Sequence, residues 1–142
     1  MAFKRKETAI NWLKKGYYFG SKNFDNFRND KEVVLEAVKI QGFSLKNASD
    51  ELKEDKDVVL EAVKQHGWSL EFASDKLKAD KEIVLEAVKQ NSFSLKFIGN
   101  SLREEIGEDD PIQYLEAFLL KQNLAGELSK KEQPVEKTII KL

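Results

Sequence analysis

Cysteine is absent from this 142-residue chain, and histidine occurs once, at His66. Disulfides and thiolate metal sites are therefore excluded, and no pair of imidazoles exists to hold zinc or iron. An excess of one charge is missing too. Charged residues make up 35% of the chain, yet the net charge is only -1. Acids and bases must interleave as they do on solvated helix faces, and no global charge points to a polyanionic partner. Long apolar runs are lacking as well: nothing approaches the roughly 18 residues of a membrane span. The basic opening, residues 1–6, is not followed by the apolar stretch of a secretory leader. Neither G-x-x-x-x-G-K-[ST] nor G-x-G-x-x-G occurs, which leaves nucleotide sites of those kinds unsupported. We expect a cytosolic protein where it is made, with no membrane partner, no cofactor and no metal.

What the chain has is repetition. D-K-E-V-V-L-E-A-V-K-I-Q-G-F-S-L-K-N-A-S-D-E-L-K-E from Asp30 recurs, with few changes, from Asp55 and from Asp80. A fixed period of about 25 residues marks a repeat architecture and decides the fold before any other feature. Within the unit, Val33, Val34, Leu35, Ala37 and Val38 are apolar, while Glu32, Glu36 and Lys39 form one polar stripe at helical spacing. The spacing predicts a first helix, buried on most of its circumference and N-capped by Asp30, Asp55, Asp80 and Asp110 in turn. A turn with positive φ is expected at Gly42 and Gly67, with Ser92 in that place in the third unit. Ser44 and Ser69 would then cap a second helix reaching about Lys53, with Leu45, Ala48, Ser49 and Leu52 inward. Phe43, Trp68 and Phe93 precede these caps, as in a hydrophobic staple against Ala48, Ala73 and Ile98. Ala37, Ala62, Ala87 and Ala117 are small at one helical place, where successive first helices can approach closely.

The expected fold is all-α, a solenoid-like array of short helical hairpins. Residues 1–29 read as a degenerate N-terminal capping repeat, rich in aromatics. Residues 30–104 hold three full repeats, residues 105–126 a divergent C-terminal repeat opening at Pro111, and residues 127–142 a polar tail. That tail ends in a short apolar segment, residues 138–142. No single unit buries enough apolar surface to stand alone, so stacking on neighbours must hold the chain together.

The phrases D-K-E-V-V-L-E-A-V-K, then Q-G-F-S-L, then N-A-S-D-E-L-K resemble the tandem repeat family called domain of unknown function 4116. The resemblance covers residues 30–104 well and the flanking units weakly. It implies a helical repeat found in bacterial, protist and viral proteins, among them effectors delivered into host cells by intracellular bacteria. It brings no established activity and no catalytic residues.

Residues for chemistry are few. His66 stands where the other units have Gln41 and Asn91, which suits a polar turn residue rather than a general base. Glu36, Glu61, Glu86 and Glu116 recur, but Lys39, Lys64 and Lys89 lie three residues on in the full units, as in solvated helix pairs. The acidic loop around Asp109 lacks the alternating ligands of a calcium loop. We therefore expect no enzyme. Binding surfaces are better supported. Residues 1–29 carry seven bases against two acids, a net +5, whereas residues 105–142 carry five against eight, a net -3. Lys4, Arg5, Lys14 and Lys15 lie among Trp12, Tyr17 and Tyr18, a composition that suits an acidic protein surface or single-stranded nucleic acid. Asn47 becomes Phe72 and then Phe97, off the inward stripe, either to touch the neighbouring hairpin or to anchor a partner. The function expected is recognition of another protein, as an adaptor or as an inhibitor or effector that occludes it. Nucleic-acid binding through the N-terminal segment is the alternative. Oligomeric state stays open.

Overall fold

The computed structural model describes residues 4–131. Among these the chain is built from helices, without a strand. The α-helices are α1 (Lys6–Lys14), α2 (Lys31–Ile40), α3 (Asp50–Lys53), α4 (Lys56–Gln65), α5 (Lys81–Gln90), α6 (Asn100–Ile106) and α7 (Pro111–Lys131). Segments of 3₁₀ helix lie between them at Lys22–Phe27, Gly42–Asn47, Gly67–Phe72, Leu77–Ala79 and Ser92–Phe97. Helices α1, α2, α4, α5 and α7 pack in sequence as one rank, and the 3₁₀ segments 42–47, 67–72 and 92–97 stack as a second. Like segments lie beside like, as in a solenoid.

The first helices form where the apolar spacing places them. Asp30, Asp55 and Asp80 each accept hydrogen bonds from the amides two and three residues on. Val33, Val34, Ala37 and Val38, and their counterparts in α4 and α5, are buried.

The second arm differs from its expected form. It is not one α-helix capped at Ser44 but a 3₁₀ turn, a break at Ala48 and Ser49, and a short helix. Both break residues are extended, with ψ near 160°. The cause is a bond between units. The Ser49 N–H donates to the Arg28 carbonyl (2.7 Å), Ser74 N–H to Lys53 (3.0 Å) and Gly99 N–H to Lys78 (2.8 Å). Continuing the helix would take these amides away from the preceding unit. The N-cap of α3 is Ser49 rather than Ser44, and its hydroxyl accepts from Leu52 N–H. Ser44, Ser69 and Ser94 are buried instead.

The glycines of the repeat serve close approach, not the expected turn. Positive φ occurs at Gly16 and Gly107, but at neither Gly42 nor Gly67. Gly16 closes α1, with its own N–H on Leu13 and that of Tyr17 on Trp12. A Cβ on Gly67 would stand 2.5 Å from the Ala87 carbonyl oxygen and 3.0 Å from Ser94 Oγ, and one on Gly42 would strike Ala62 and Ser69 in the same way. The glycine of each unit thus seats the first helix of the next. Ser92 is exposed because no helix seats there. Ser92 has no positive φ, and Asn91 Oδ1 caps the Phe93 amide beside it.

A ladder of ion pairs runs beside this contact. Lys6 reaches Asp30 (3.2 Å) and Glu32 (2.9 Å), Lys31 reaches Asp55 (2.8 Å) and Asp57 (3.1 Å), and Lys56 reaches Asp80 (2.9 Å) and Glu82 (2.8 Å). Each lysine at the head of one helix therefore grips the capping aspartate and the next acid of the following helix. Hydrogen bonds to those acids hold all three lysines above their ordinary value. Burial works against the charge on Asp55, but Lys31 and the amides of Val58 and Asp57 outweigh it and lower that carboxyl. At the last step Lys81 turns to Glu105 (2.7 Å) and lies 3.6 Å from the centre of the Phe118 ring. Glu105 also accepts from the Tyr114 hydroxyl (2.6 Å). Gln90 of α5 adds a polar clasp, donating to the Lys64 (2.9 Å) and Gln65 (2.8 Å) carbonyls and accepting from Gly67 N–H.

The C-terminal end departs from the expected divergent repeat and polar linker. Helix α7 runs unbroken through residue 126 to Lys131. The boundary expected at 126 falls inside it, and Ala117 is exposed among the described residues. The apolar segment 138–142 lies outside the described residues.

Gly67→Ala should destabilise the array by about 1 to 3 kcal/mol through overpacking, whereas Gly126→Ala, with open space around it, should raise the helicity of α7; urea unfolding and circular dichroism read the two. The raised lysines contribute stability that is complete below 10.5 and lost as pH climbs past it. Asp55 contributes above 3.8 and loses it as pH falls. The urea midpoint should therefore fall at both extremes, with a smaller alkaline fall in Lys31→Met and a smaller acid fall in Asp55→Asn.

Candidate protein-binding edge

The stacked 3₁₀ segments place one aromatic residue per unit on a single edge. Phe43, Trp68 and Phe93 occupy the second position of their segments. They do not staple their own arms, as the sequence suggested, because the break after the 3₁₀ turn removes the helical position they would meet. They stand at the surface instead, with Phe93 70% exposed.

Phe72 and Phe97 are half-buried and reach back across the unit boundary. Phe72 meets Phe43 edge to face, with ring centres 6.4 Å apart, and Phe97 meets Trp68 at the same distance. The same 29-residue offset links Tyr18 to Asn47, whose side-chain amide donates to the tyrosine hydroxyl (3.2 Å). Asn47 differs from its two counterparts because its partner offers oxygen rather than a ring face. That offset, 18 to 47, 43 to 72 and 68 to 97, is readable in the sequence once the period is known. It joins the aromatics of the N-terminal unit and those of the outer segments into one continuous edge.

Between the rungs lie notches. One of about 260 Å³ is lined by Phe43, His66, Gly67, Trp68, Gln90 and Asn91. A smaller one, about 110 Å³, opens one unit earlier around Tyr17, Tyr18 and Gln41. His66 packs its ring on Phe43 with centres 4.8 Å apart. It belongs to the edge as a flat polar surface. Lys96 lies 4.9 Å from the Trp68 ring centre and 4.8 Å from that of Phe97.

The N-terminal candidates divide into two groups. Trp12 and Tyr17 pack ring on ring with centres 4.0 Å apart. Lys14 and Lys15 are exposed beside Tyr17 and Tyr18, at the end of α1 that joins the edge. Lys4 and Arg5 are exposed at the other end of α1, roughly 15 Å away at 1.5 Å per residue. Lys6 and Arg28 are drawn into ion pairs with Asp30, Glu32 and Asp25.

Three of the four recurring glutamates make a polar contact with a neighbour, and of these only Glu36 meets the lysine expected three residues on. Glu36 pairs with Lys39 (3.3 Å), Glu61 accepts from Gln65 (3.1 Å), and Glu116 pairs with Lys89 of the preceding helix (2.6 Å). Among the described residues no group of three or more acids and histidines stands close enough to hold a metal ion. No described helix is long and apolar enough to cross a membrane.

Comparison with known proteins gives one result. The family model described as Domain of unknown function (DUF4116) matches residues 6–53 and 55–103. Each matched span covers two hairpin units, and the first begins at α1, so the N-terminal unit is a full participant rather than a weak flank. No curated protein and no solved structure matches.

Rung and rail should separate on mutation. Phe97→Ser removes a half-buried ring from an edge-to-face pair and should lower stability by about 1 to 3 kcal/mol. Phe93→Ser should stay within about 0.5 kcal/mol, as thermal or urea unfolding of both variants will show.

Proposed function

From a chain that belongs to the Domain of unknown function (DUF4116) family, whose description carries no activity, we propose a non-catalytic protein-binding module. It works as an adaptor, or as an inhibitor or effector that covers a site on its partner, in the cytoplasm or in a host cell. The observation that carries the reading is the exposed rank of Tyr18, Phe43, Trp68 and Phe93 along one edge. Aromatic side chains dominate binding energy at protein interfaces because they bury much area at little entropic cost. Here rigid stacking fixes their spacing, so little ordering remains to be done on binding.

One observation favours nucleic acid as a second reading. Lys14 and Lys15 stand exposed beside Tyr17 and Tyr18, a pairing of positive charge with stacking surfaces. The separation of Lys4 and Arg5 from them, and the paired acids along the rest of the array, weigh against a continuous phosphate track.

Affinity capture from the native host tests both. The wild-type chain should recover one stoichiometric protein, and Trp68→Ser with Phe93→Ser should reduce that recovery at least about tenfold while the helical signal and cooperative melting persist. Recovery of nucleic acid instead, with affinity that falls steeply with salt and is lost when Lys4, Arg5, Lys14 and Lys15 are changed to Glu, would replace the protein reading with the second. A catalytic turnover abolished by a single acid substitution in the folded chain would overturn the non-catalytic part.

A further inference from the structure

Helix α7 is 21 residues long against 10 for α2, α4 and α5. Its first half completes the rank: Leu115 is buried and Ile112 and Tyr114 pack on the core. Among the described residues nothing covers the opposite side. Leu120, Leu124 and Leu128 are 60%, 50% and 60% exposed. With Ala117, also exposed, they fall within an arc of about 80° at 100° per residue. A groove of about 470 Å³ flanks the upper part of this stripe, lined in part by Gln113, Ala117 and Lys121. In the three full units the residues aligned with Ala117 are Ala37, Ala62 and Ala87, each at most 1% exposed, and the backbones of Ala62 and Ala87 lie against Gly42 and Gly67 of the preceding unit. At α7 this small position is instead turned to solvent, with the three leucines beside it.

The chemistry at the two ends argues against another copy's N-terminal unit as the occupant. Each step of the lysine ladder needs a lysine at the head of one helix and a capping aspartate on the next. Helix α7 begins with Pro111 in place of the lysine, and α1 is preceded by Arg5 in place of the aspartate. A head-to-tail contact has neither half of the pair. The stripe is instead complementary to itself. In an antiparallel pairing centred on Leu124, Leu124 meets its own copy and Leu120 meets Leu128. Glu116, which pairs with Lys89 of its own chain, then lies close to Lys130 and Lys131 of the other copy, which close the helix.

We propose that the exposed face of α7 is a two-fold interface, in which Ala117, Leu120, Leu124 and Leu128 pair antiparallel with the same residues of a second copy. Such self-matching contacts close as dimers rather than growing as filaments. A helix half that projects beyond its array gains from such a partner, since isolated turns are marginal in water.

The absence of cysteine makes the test direct. Leu124→Cys should form a disulfide-linked dimer under mild oxidation. Leu120→Cys or Leu128→Cys alone should crosslink poorly, and the two mixed should crosslink well. Sedimentation of the unmodified full-length chain at about 100 µM should give a dimer, and Leu120→Glu with Leu124→Glu a monomer at least about tenfold weaker in self-association, with the array still unfolding cooperatively. A wild-type monomer at that concentration, or equal crosslinking by all three single cysteines, would overturn the proposal. So would a monomer that becomes dimeric on Ile139→Asp with Ile140→Asp, since the chain's own tail would then be the occupant.

Discussion

The structure depends on one close approach: the backbone of Gly42 against Ala62, and of Gly67 against Ala87. A 25-residue unit has too little apolar surface of its own to offset the conformational entropy it loses, so neighbours must come near enough to share a core. Alanine on the first helix and glycine at the 3₁₀ turn remove the side chains that would hold them apart. The inter-unit amide bonds at Ser49, Ser74 and Gly99 and the lysine ladder then fix the register of surfaces already in contact. These pairs are solvent-exposed and individually weak. Their regular recurrence serves alignment more than stability.

The rank of first helices is legible in the sequence because three signals agree there: aspartate caps, the apolar spacing of Val33 to Val38, and close recurrence in the next two units. The second arm is not, because its form is set by a bond to another unit. Nothing local to Ala48 says that the amide of Ser49 must turn toward Arg28. The run Ser49, Asp50, Glu51 before Leu52 does carry the mark of a helix start, in competition with the one at Ser44. Composition points to a turn at Gly42, which in the fold fills the more demanding role of contact surface. The continuation of α7 past Gly126 accords with Leu120, Leu124 and Leu128, whose spacing is helical although the expected period has ended.

The same distinction governs the candidate edge. In the sequence its residues form two separate features, a basic aromatic head and two unexplained phenylalanines. The fold makes them one by setting residue 18 against 47 just as it sets 43 against 72. Phe72 and Phe97 act as rungs that hold the exposed rings in place. The rings themselves look like internal staples when one unit is considered alone, since exposure depends on how units stack.

The lysine ladder points one way. Lys6, Lys31 and Lys56 each reach forward to the next aspartate and never back, which gives the array a direction and makes each interior module interchangeable. A duplicated 25-residue segment inserted between residues 79 and 80 would present an acid to Lys56 and a lysine to Asp80, leaving no orphaned charge at either seam. Pro111 and Arg5 are terminators in this grammar, and length between them is a variable that gene duplication can tune, lengthening the aromatic edge one rung at a time without redesigning a contact.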